Sequence, residues 1–138
     1  MSITIGVADY TKNGPTSIYP LPVSDELIEL FNKVTGNRKN CTISFKDPSY
    51  SAETGGYHPI EVMIQDGSIK YITDFAYVGS PPFEELAKEI DFDFGYKVFQ
   101  HMGREYPIAQ GRQLYKMWES NFISYFESGV YTTKTTNL

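Results

Sequence analysis

The sequence predicts a single α+β domain, with a twisted and mainly antiparallel sheet that helices cover on one face. Three observations support this fold class. Alternating apolar and polar segments surround an Asp-Gly pair, which is typical of a β-hairpin. Segments with helical spacing interrupt the strands without the regular alternation of a parallel sheet. The length of 138 residues suits one core, and 41% apolar with 21% charged residues excludes general disorder.

The N-terminal part combines an irregular arm with a well-marked first helix. Residues 1–22 form an extended or loop-rich arm, because they contain three prolines and only a weak alternation at residues 2–8. Ser24 then caps a helix that Gly36 can end, and Asp25 adds negative charge at the positive helix end. The apolar side of this helix comprises Leu27, Ile28, Leu30, Phe31 and Val34.

The central part predicts a strand followed by a hairpin. Residues 41–46 alternate strictly, which indicates a half-buried strand with Cys41 on its inner side. Asp66-Gly67 joins residues 58–65 to residues 68–78 as a type I′ turn, in which both central residues need positive φ. The predicted pairs are Ile64 with Ile69, Val62 with Tyr71, and Ile60 with Thr73. The predicted apolar face comprises Ile60, Val62, Ile64, Ile69, Tyr71, Phe75 and Tyr77; the other face carries Glu61, Gln65, Lys70 and Asp74, with Met63 and Ile72 as apolar exceptions.

After this hairpin we expect a short second helix and more strands. Ser80 caps that helix, and Pro81 takes its first position, where the missing N–H has no cost. Residues 89–94 form a strand with its two aspartates outward. Residues 95–106 form a further strand or a hairpin, and the register there stays open.

A longer third helix closes the predicted core. It runs from near Pro107 to about Ser128, where Gly129 stops it. Residues 130–133 form a last strand before a polar tail at 134–138, and an exposed edge strand there could support a dimer. The buried stripe of the helix comprises Leu114, Trp118, Phe122 and Tyr125, widened by Met117 and Phe126.

Composition narrows the function classes more than any short motif does. The net charge of −5 argues against sequence-independent nucleic-acid binding, which depends on Lys and Arg. A single cysteine, Cys41, allows neither an internal disulfide nor a paired-thiol zinc site. The first residues lack the positive start and the long apolar stretch that a signal peptide has, and the sequence shows no membrane-spanning run and no phosphate-cradling glycine motif. We therefore expect a cytoplasmic protein without a cofactor, a membrane partner or a nucleic-acid partner.

One long segment carries a family resemblance. Residues 47–62, DPSYSAETGGYHPIEV, are similar to a segment in a bacterial family of small proteins known only as a domain of unknown function. The resemblance extends through residues 71–77 and 89–94 into residues 120–122 and 129–131, and it covers roughly residues 23–132. It implies a bacterial, single-domain, cytoplasmic protein. It implies no activity, cofactor or catalytic residue.

The first candidate site is the polar and aromatic loop at residues 47–58, which lies between two predicted strands. Loops held by rigid strands are favoured places for binding groups. A histidine can act as acid or base near neutral pH, and either Asp47 or Asp74 could orient His58. The alternative is structural, because Asp-Pro and Gly-Gly are turn formers. The candidate binding residues are Asp47, Tyr50, Glu53, Tyr57, His58 and Asp74.

The second candidate site is acidic. Asp74, Glu84, Glu85, Glu89, Asp91 and Asp93 stand against Lys88 alone in residues 74–93, so this stretch carries the whole net charge. Asp91 and Asp93 could hold Mg²⁺ or Ca²⁺, but alternating Asp and Phe is typical of a solvated strand face, so we expect no metal. The candidate acidic-face residues are Glu84, Glu85, Asp91 and Asp93.

These features favour a non-enzymatic binding or interaction module that presents the 47–58 loop and the acidic face. The 21 aromatic residues, 11 of them Tyr, exceed what a small core must hide. One alternative is a small enzyme with His58 as acid or base, assisted by Asp47 or Asp74. Another is an acidic mimic of nucleic acid. The expected partner is an unknown protein or small ligand, and the protein is expected to be a monomer or weak homodimer.

Overall fold

The structure, a computed structural model, describes residues 19–138 and contains one seven-stranded antiparallel sheet in that range. The sheet order is β6-β5-β4-β3-β2-β1-β7. The weak alternation at residues 2–8 and most of the predicted arm lie outside the described residues. The elements are α1 (Asp25–Thr35), β1 (Cys41–Lys46), β2 (Ile60–Gln65), β3 (Ser68–Val78), β4 (Glu85–Asp93), β5 (Val98–His101), β6 (Arg104–Pro107), a 3₁₀ turn (Ile108–Gly111), α2 (Arg112–Glu127) and β7 (Thr132–Asn137).

Both helices pack on the same face of the sheet, which confirms the predicted α+β class. Phe45 of β1 contacts Phe31 of α1 and Phe122 of α2, with ring centroids 6.1 and 5.0 Å apart. Phe92 of β4 contacts Tyr115 of α2 in the same way. The core therefore lies between the helices and one sheet face, and we call the other face the open face.

The first helix and first strand form as predicted. The Ser24 hydroxyl accepts a hydrogen bond from the Leu27 amide at 3.1 Å, and Gly36 ends the helix with a φ of 64°. Cys41, Ile43 and Phe45 are fully buried, so the alternation of β1 is confirmed. The described end of the predicted arm, residues 19–22, forms neither helix nor strand, and its Tyr19 and Leu21 side chains are buried in the core.

The predicted second helix is wrong, since residues 85–93 form β4. A residue that precedes a proline is disfavoured from the helical region, so Pro82 discourages a helix that begins at Pro81. The strand pairs with β3 from Val78↔Glu85 to Tyr71↔Asp93, and these backbone hydrogen bonds outweigh the helix-start signal. The described chain has two α-helices where the sequence predicted three.

The hairpin is confirmed, but a β-bulge in β3 changes its faces. Ile64 pairs with Ile69 as predicted, yet Met63 pairs with Tyr71, so Lys70 is an extra residue in β3. The predicted pairs of Val62 and Ile60 are therefore wrong, because they face Ile72 and Asp74 instead.

The shift also reassigns the side chains beyond Lys70. A one-residue shift moves every later side chain to the other face. Ile72, Asp74 and Ala76 consequently point to the helices and are buried. The side chains of Tyr71, Phe75 and Tyr77 were predicted on the apolar face, and the same shift moves them to the open face.

The C-terminal elements need smaller corrections. Residues 98–107 form the hairpin of β5 and β6, whose turn residues Met102 and Gly103 have positive φ. On α2, Met117 is 60% exposed instead of widening the stripe, and Tyr115 is fully buried. The predicted polar tail is mostly strand, because β7 pairs with β1 as far as Asn137.

Two absences hold for the described residues. None of the helices between residues 19 and 138 combines the length and the apolar composition that crossing a membrane requires. In the same range, no group of three or more His, Cys, Asp or Glu side chains is placed to hold a metal ion.

Candidate functional site

Asp47 holds the 47–58 loop closed. One carboxylate oxygen accepts hydrogen bonds from the Ser49 amide and hydroxyl at 2.9 and 2.7 Å, and the other accepts from the Tyr57 amide at 3.0 Å. These hydrogen bonds, led by the Ser49 hydroxyl, lower the pKa of Asp47. Gly56, with a φ of 134°, lies so close that an added Cβ would stand 2.8 Å from this carboxylate. Asp47 therefore ties the loop's start to its end and does not orient His58.

Asp74 is the carboxylate that orients His58. His58 Nδ1 lies 2.7 Å from Asp74 Oδ1, and Trp118 Nε1 donates to Asp74 Oδ2 at 3.1 Å. Asp74 is only 8% exposed, and burial raises its pKa despite these hydrogen bonds. Both carboxylate oxygens are thus engaged by ring nitrogens, which fixes the orientation of the imidazole.

Tyrosine rings surround this pair. Tyr50 packs against both His58 and Tyr77, with centroid distances of 5.5 and 5.3 Å, and its hydroxyl accepts a hydrogen bond from the Tyr77 amide. Tyr57 packs against Tyr125 of α2 at 4.6 Å. The loop is therefore anchored to β3 on one side and to α2 on the other.

A concave cavity of about 330 Å³ opens beside the loop, and we call it the His58 cavity. Its volume lies near the lower limit for small-molecule sites. No lysine or arginine is among the described residues that line it. The lining residues are Gly56, Tyr57, His58, Ile60, Asp74, Glu89, Trp118, Asn121, Phe122, Tyr125 and Tyr131.

Glu89 reaches this cavity because it is the extra residue of the second bulge. Asp74 pairs with Ile90 and Phe75 with Lys88, which leaves Glu89 without a direct partner on β3. Its carboxylate lies 3.8 Å from His58 Nδ1. The cavity thus holds two carboxylates, one of them buried and fully hydrogen-bonded.

The predicted acidic face is divided between the two sheet faces. Glu85 pairs with Val78, on the face of Ala76, whereas Asp91 pairs with Thr73 on the open face. The Glu89 bulge between them reverses the alternation. Asp91 is also buried at 6% exposure, in contrast to the outward position that the alternation predicted. This division removes the continuous acidic face on which the nucleic-acid mimic depended.

The remaining predicted residues lie apart from the His58 cavity. Glu53 is exposed in the loop and makes no hydrogen bond or ion pair with the part of the chain that the structure describes. Glu84 and Glu85 lie at the start of β4, next to the exposed side chains of Phe83 and Leu86. Asp93 belongs to a second cavity on the open face.

Sequence reasoning missed several cavity residues. Trp118, Asn121 and Tyr125 share one side of α2, and helical spacing alone could have grouped them. Glu89 depends on a bulge that no local pattern announces. Tyr131 was assigned only to a strand, and burial together with the nearby Asp74 raises the pKa of its hydroxyl.

Comparisons with known proteins give a family and two related structures, both of hypothetical proteins from Vibrio cholerae. The protein VC0508 from the VSP-II pathogenicity island is 36% identical, with a TM-score of 0.78; the match covers 87% of this chain and 98% of that one. The protein VC1805 from the island VPI-2 is 36% identical with a TM-score of 0.75, over 86% and 97% of the two chains. VC1805 is described as sharing structural homology with the human P32 protein.

The curated proteins offer no significant match to this chain. The family model matches residues 23–136, most of the chain, and is described as a protein of unknown function, DUF2787. The predicted resemblance to a family of unknown function is confirmed at that level. This chain belongs to the DUF2787 family.

Proposed function

We propose that the protein is a non-enzymatic binding module and that its ligand places a cationic amine or guanidinium group in the His58 cavity. The observation that carries the proposal is the composition of the lining. Five aromatic rings and two carboxylates face a cavity of about 330 Å³, and none of the described lining residues is Lys or Arg. Aromatic faces and carboxylates both attract cations, most strongly where water is partly excluded.

The roles of the polar groups differ. Asp74 has both oxygens engaged, so it positions His58 rather than contacting the ligand directly. An ionised Asp74 requires the proton of a neutral imidazole on Nδ1, which leaves Nε2 as a hydrogen-bond acceptor. Glu89 has an exposed side-chain fraction of 30% and supplies the available negative charge. Tyr57 and Tyr125, which pack against each other in the lining, supply ring faces.

The same geometry favours a second candidate, general acid–base catalysis by His58 with Asp74 as its positioning residue. The observation in its favour is the 2.7 Å contact inside a cavity, which is the arrangement that orients a catalytic imidazole. No Ser, Thr or Cys is among the described lining residues, and the hydroxyl pKa of Tyr131 is raised. A catalytic His58 would therefore act on a bound substrate or on water.

The single tryptophan of the chain provides a direct test. Trp118 lines the cavity, so its fluorescence reports on occupancy. We expect 1,4-diaminobutane, arginine and tetramethylammonium to change this fluorescence with saturation. Glu89→Gln and Tyr57→Ala should each weaken binding by about fivefold or more, since each removes one source of attraction for the cation. Glu85→Gln, an exposed acid outside the cavity, is the matched control.

Two further experiments distinguish the enzyme from the binding module and a protein partner from a free amine. The wild type and His58→Ala are assayed with a panel of chromogenic esters, phosphoesters and glycosides. Turnover by the wild type that is lost in His58→Ala would show an enzyme and would overturn the binding-module proposal. A cationic side chain of a protein partner is distinguished from a free amine by a pulldown with Tyr50, Tyr57 and His58 changed to Ala. A partner that is lost from the variant and displaced by 1,4-diaminobutane would be the ligand's source.

We also propose that the protein is cytoplasmic and monomeric or weakly dimeric. The only cysteine, Cys41, is free and fully buried, which suits a reducing compartment. β7 is an edge strand with mostly exposed residues, but Lys134 on it disfavours strand addition by a second copy.

A further inference from the structure

The open face of the sheet contains a second and larger cavity, of about 580 Å³, which we call the open-face cavity. It lies on the side of the sheet opposite to α1 and α2, and it shares no lining residue with the His58 cavity. The cavity volume is in the usual range for small-ligand sites. Its lining residues are Glu61, Met63, Gln65, Lys70, Tyr71, Thr73, Phe75, Lys88, Asp91, Asp93, Gly95 and Tyr96.

The two bulges explain why this face is concave. β-bulges bend a strand and increase its local twist. Lys70 is the extra residue in β3, and Glu89 is the extra residue in β4, the neighbouring strand. Thr73 and Asp91, which pair between the two bulges, are 2% and 6% exposed although neither α1 nor α2 lies above them. The floor of the cavity is therefore formed by the stretch between the bulges.

Carboxylates line this floor, and each has one oxygen engaged within the protein. Asp91 Oδ1 accepts a hydrogen bond from Thr73 Oγ1 at 2.8 Å, whereas Asp91 Oδ2 lies 3.7 Å from Lys88 Nζ, beyond hydrogen-bond distance. Asp93 Oδ1 accepts from the Tyr96 amide at 2.9 Å. Glu61 Oε2 accepts from the Tyr71 hydroxyl. The second oxygens of Asp93 and Glu61 accept no hydrogen bond from the described residues and are free for a donor, whereas Asp91 Oδ2 is in an ion pair with Lys88.

Positive charge is also present, in contrast to the His58 cavity. Lys70 is half-buried and lines the open-face cavity, and its ammonium makes no ion pair with the described residues. Lys70 lies between the strand pairs Met63↔Tyr71 and Ile64↔Ile69. Its neighbour Tyr71 pairs with Asp93 of β4. A ligand that pairs with the Lys70 ammonium must therefore place an acceptor group beside the carboxylates of the cavity.

Aromatic side chains border the charged groups. Tyr71 and Phe75 stand on either side of Thr73 on the open face, since both are two positions away from it in β3. Tyr96, in the turn that follows β4, is 84% exposed although its ring lines the cavity. Exposed aromatic rings of this kind offer flat surface for an apolar group.

We propose that the open-face cavity binds a small zwitterion of the amino-acid class. Its ammonium group binds the free oxygens of Asp93 and Glu61, its carboxylate pairs with Lys70, and its side chain packs against Tyr71 and Tyr96. A zwitterion suits a cavity with mixed charges and aromatic walls better than a simple cation or a simple anion does. A ligand with only one kind of charge would leave either the carboxylates or the Lys70 ammonium of this half-buried site unpaired.

Amide NMR spectra of the ¹⁵N-labelled full chain, recorded with pools of the twenty common amino acids, test this proposal. We expect at least one pool to shift residues of β3, β4 and the turn at Tyr96. The single active amino acid is then compared with its decarboxylated amine and its deaminated acid, each of which should bind about tenfold more weakly. Lys70→Gln and Asp93→Asn should weaken binding by a similar factor. Lys116→Gln, an exposed change on α2, should not.

Three outcomes would overturn the proposal: no pool shifts any open-face residue, the amine binds as tightly as the amino acid, or Lys70→Gln leaves affinity unchanged. Asp93→Asn keeps an acceptor for the Tyr96 amide. We therefore expect Asp93→Asn and Lys70→Gln to keep the fold, which their amide spectra will show. The failure of this site is distinguishable from failure of the His58 cavity. If the added amino acids shift only the amide signals of residues around Trp118, the open-face site is overturned and the His58 cavity is not.

Discussion

The His58 cavity and the open-face cavity lie on opposite faces of one sheet and are built in opposite ways. In the His58 cavity, the polar groups are engaged with one another: Asp74 holds both His58 and Trp118, and Trp118 also belongs to the core. In the open-face cavity, the carboxylates and Lys70 retain free hydrogen-bonding capacity, and Tyr96 contributes little to the core. Substitutions of core side chains on the helix-covered face should therefore change stability most, whereas substitutions of exposed side chains on the open face should mainly change binding.

The largest expected effect is on the helix-covered face, at Trp118. Trp118→Ala should lower the free energy of unfolding by about 3–5 kcal/mol, because a buried ring is replaced by a cavity. Trp118 is 7% exposed and packs against Phe122 with a centroid distance of 5.0 Å. Guanidinium denaturation of the wild type and the variant measures the change. An unmoved midpoint would remove Trp118 from the core.

A smaller effect isolates the hydrogen bond from the packing. Trp118→Phe keeps most of the apolar contact but leaves Asp74 Oδ2 without its ring N–H donor. We expect a loss of about 1–3 kcal/mol, which is the usual cost of leaving one buried polar atom unpaired. The same denaturation experiment measures it. No measurable loss in Trp118→Phe would mean that packing alone explains the role of the indole.

The pH dependence of stability tests the buried carboxylate of the open face. Burial raises the pKa of Asp91 above its ordinary value of 3.8 in the folded state. The folded protein therefore binds the proton more tightly than the unfolded chain, so the stabilisation is full below pH 3.8 and is lost as pH rises through the folded pKa. Asp91→Asn keeps an acceptor for Thr73 but does not titrate.

We accordingly expect the stability of the wild type, relative to Asp91→Asn, to decrease as pH rises from about 3.8 into the neutral range. Thermal unfolding at a series of pH values measures this difference. Glu53→Gln, an exposed acid in the 47–58 loop, is the control that should show no comparable trend. A difference that grows with pH would contradict a raised pKa for Asp91.

The smallest expected change in stability is at Tyr96. Because this ring is 84% exposed, Tyr96→Ala should alter the free energy of unfolding by no more than about 0.5 kcal/mol. It should nevertheless weaken any ligand of the open-face cavity. A large loss of stability would show that the two faces are less different than their exposure indicates.

Local signals were sufficient for most of the fold. Ser24 and Gly36 mark the bounds of α1, Asp66-Gly67 marks a hairpin, and β1 alternates as expected, because each depends on residues close in sequence. The prediction of a second helix was wrong because it depended on a local signal alone. Its start signal was local, whereas the pairing of β4 with β3 that replaced it is a tertiary contact.

The candidate site was predictable only in part. Asp74 was one of two carboxylates that the sequence offered as the partner of His58, but the predicted register put Asp74 on the polar face. The bulge at Lys70 moves Asp74 to the helix-covered face, where Trp118 meets it, and the bulge at Glu89 brings a second acid to His58. No one-dimensional pattern contains these two shifts, and both cavities depend on them.

The affinity for 1,4-diaminobutane, read from Trp118 fluorescence, tests most directly the claim that the two faces hold separate sites of different charge preference. The two decisive variants are Glu89→Gln, in the His58 cavity, and Lys70→Gln, in the open-face cavity. We predict that Glu89→Gln weakens binding by about fivefold or more and that Lys70→Gln leaves it unchanged. Equal effects of the two variants, or no effect of Glu89→Gln, would contradict the account.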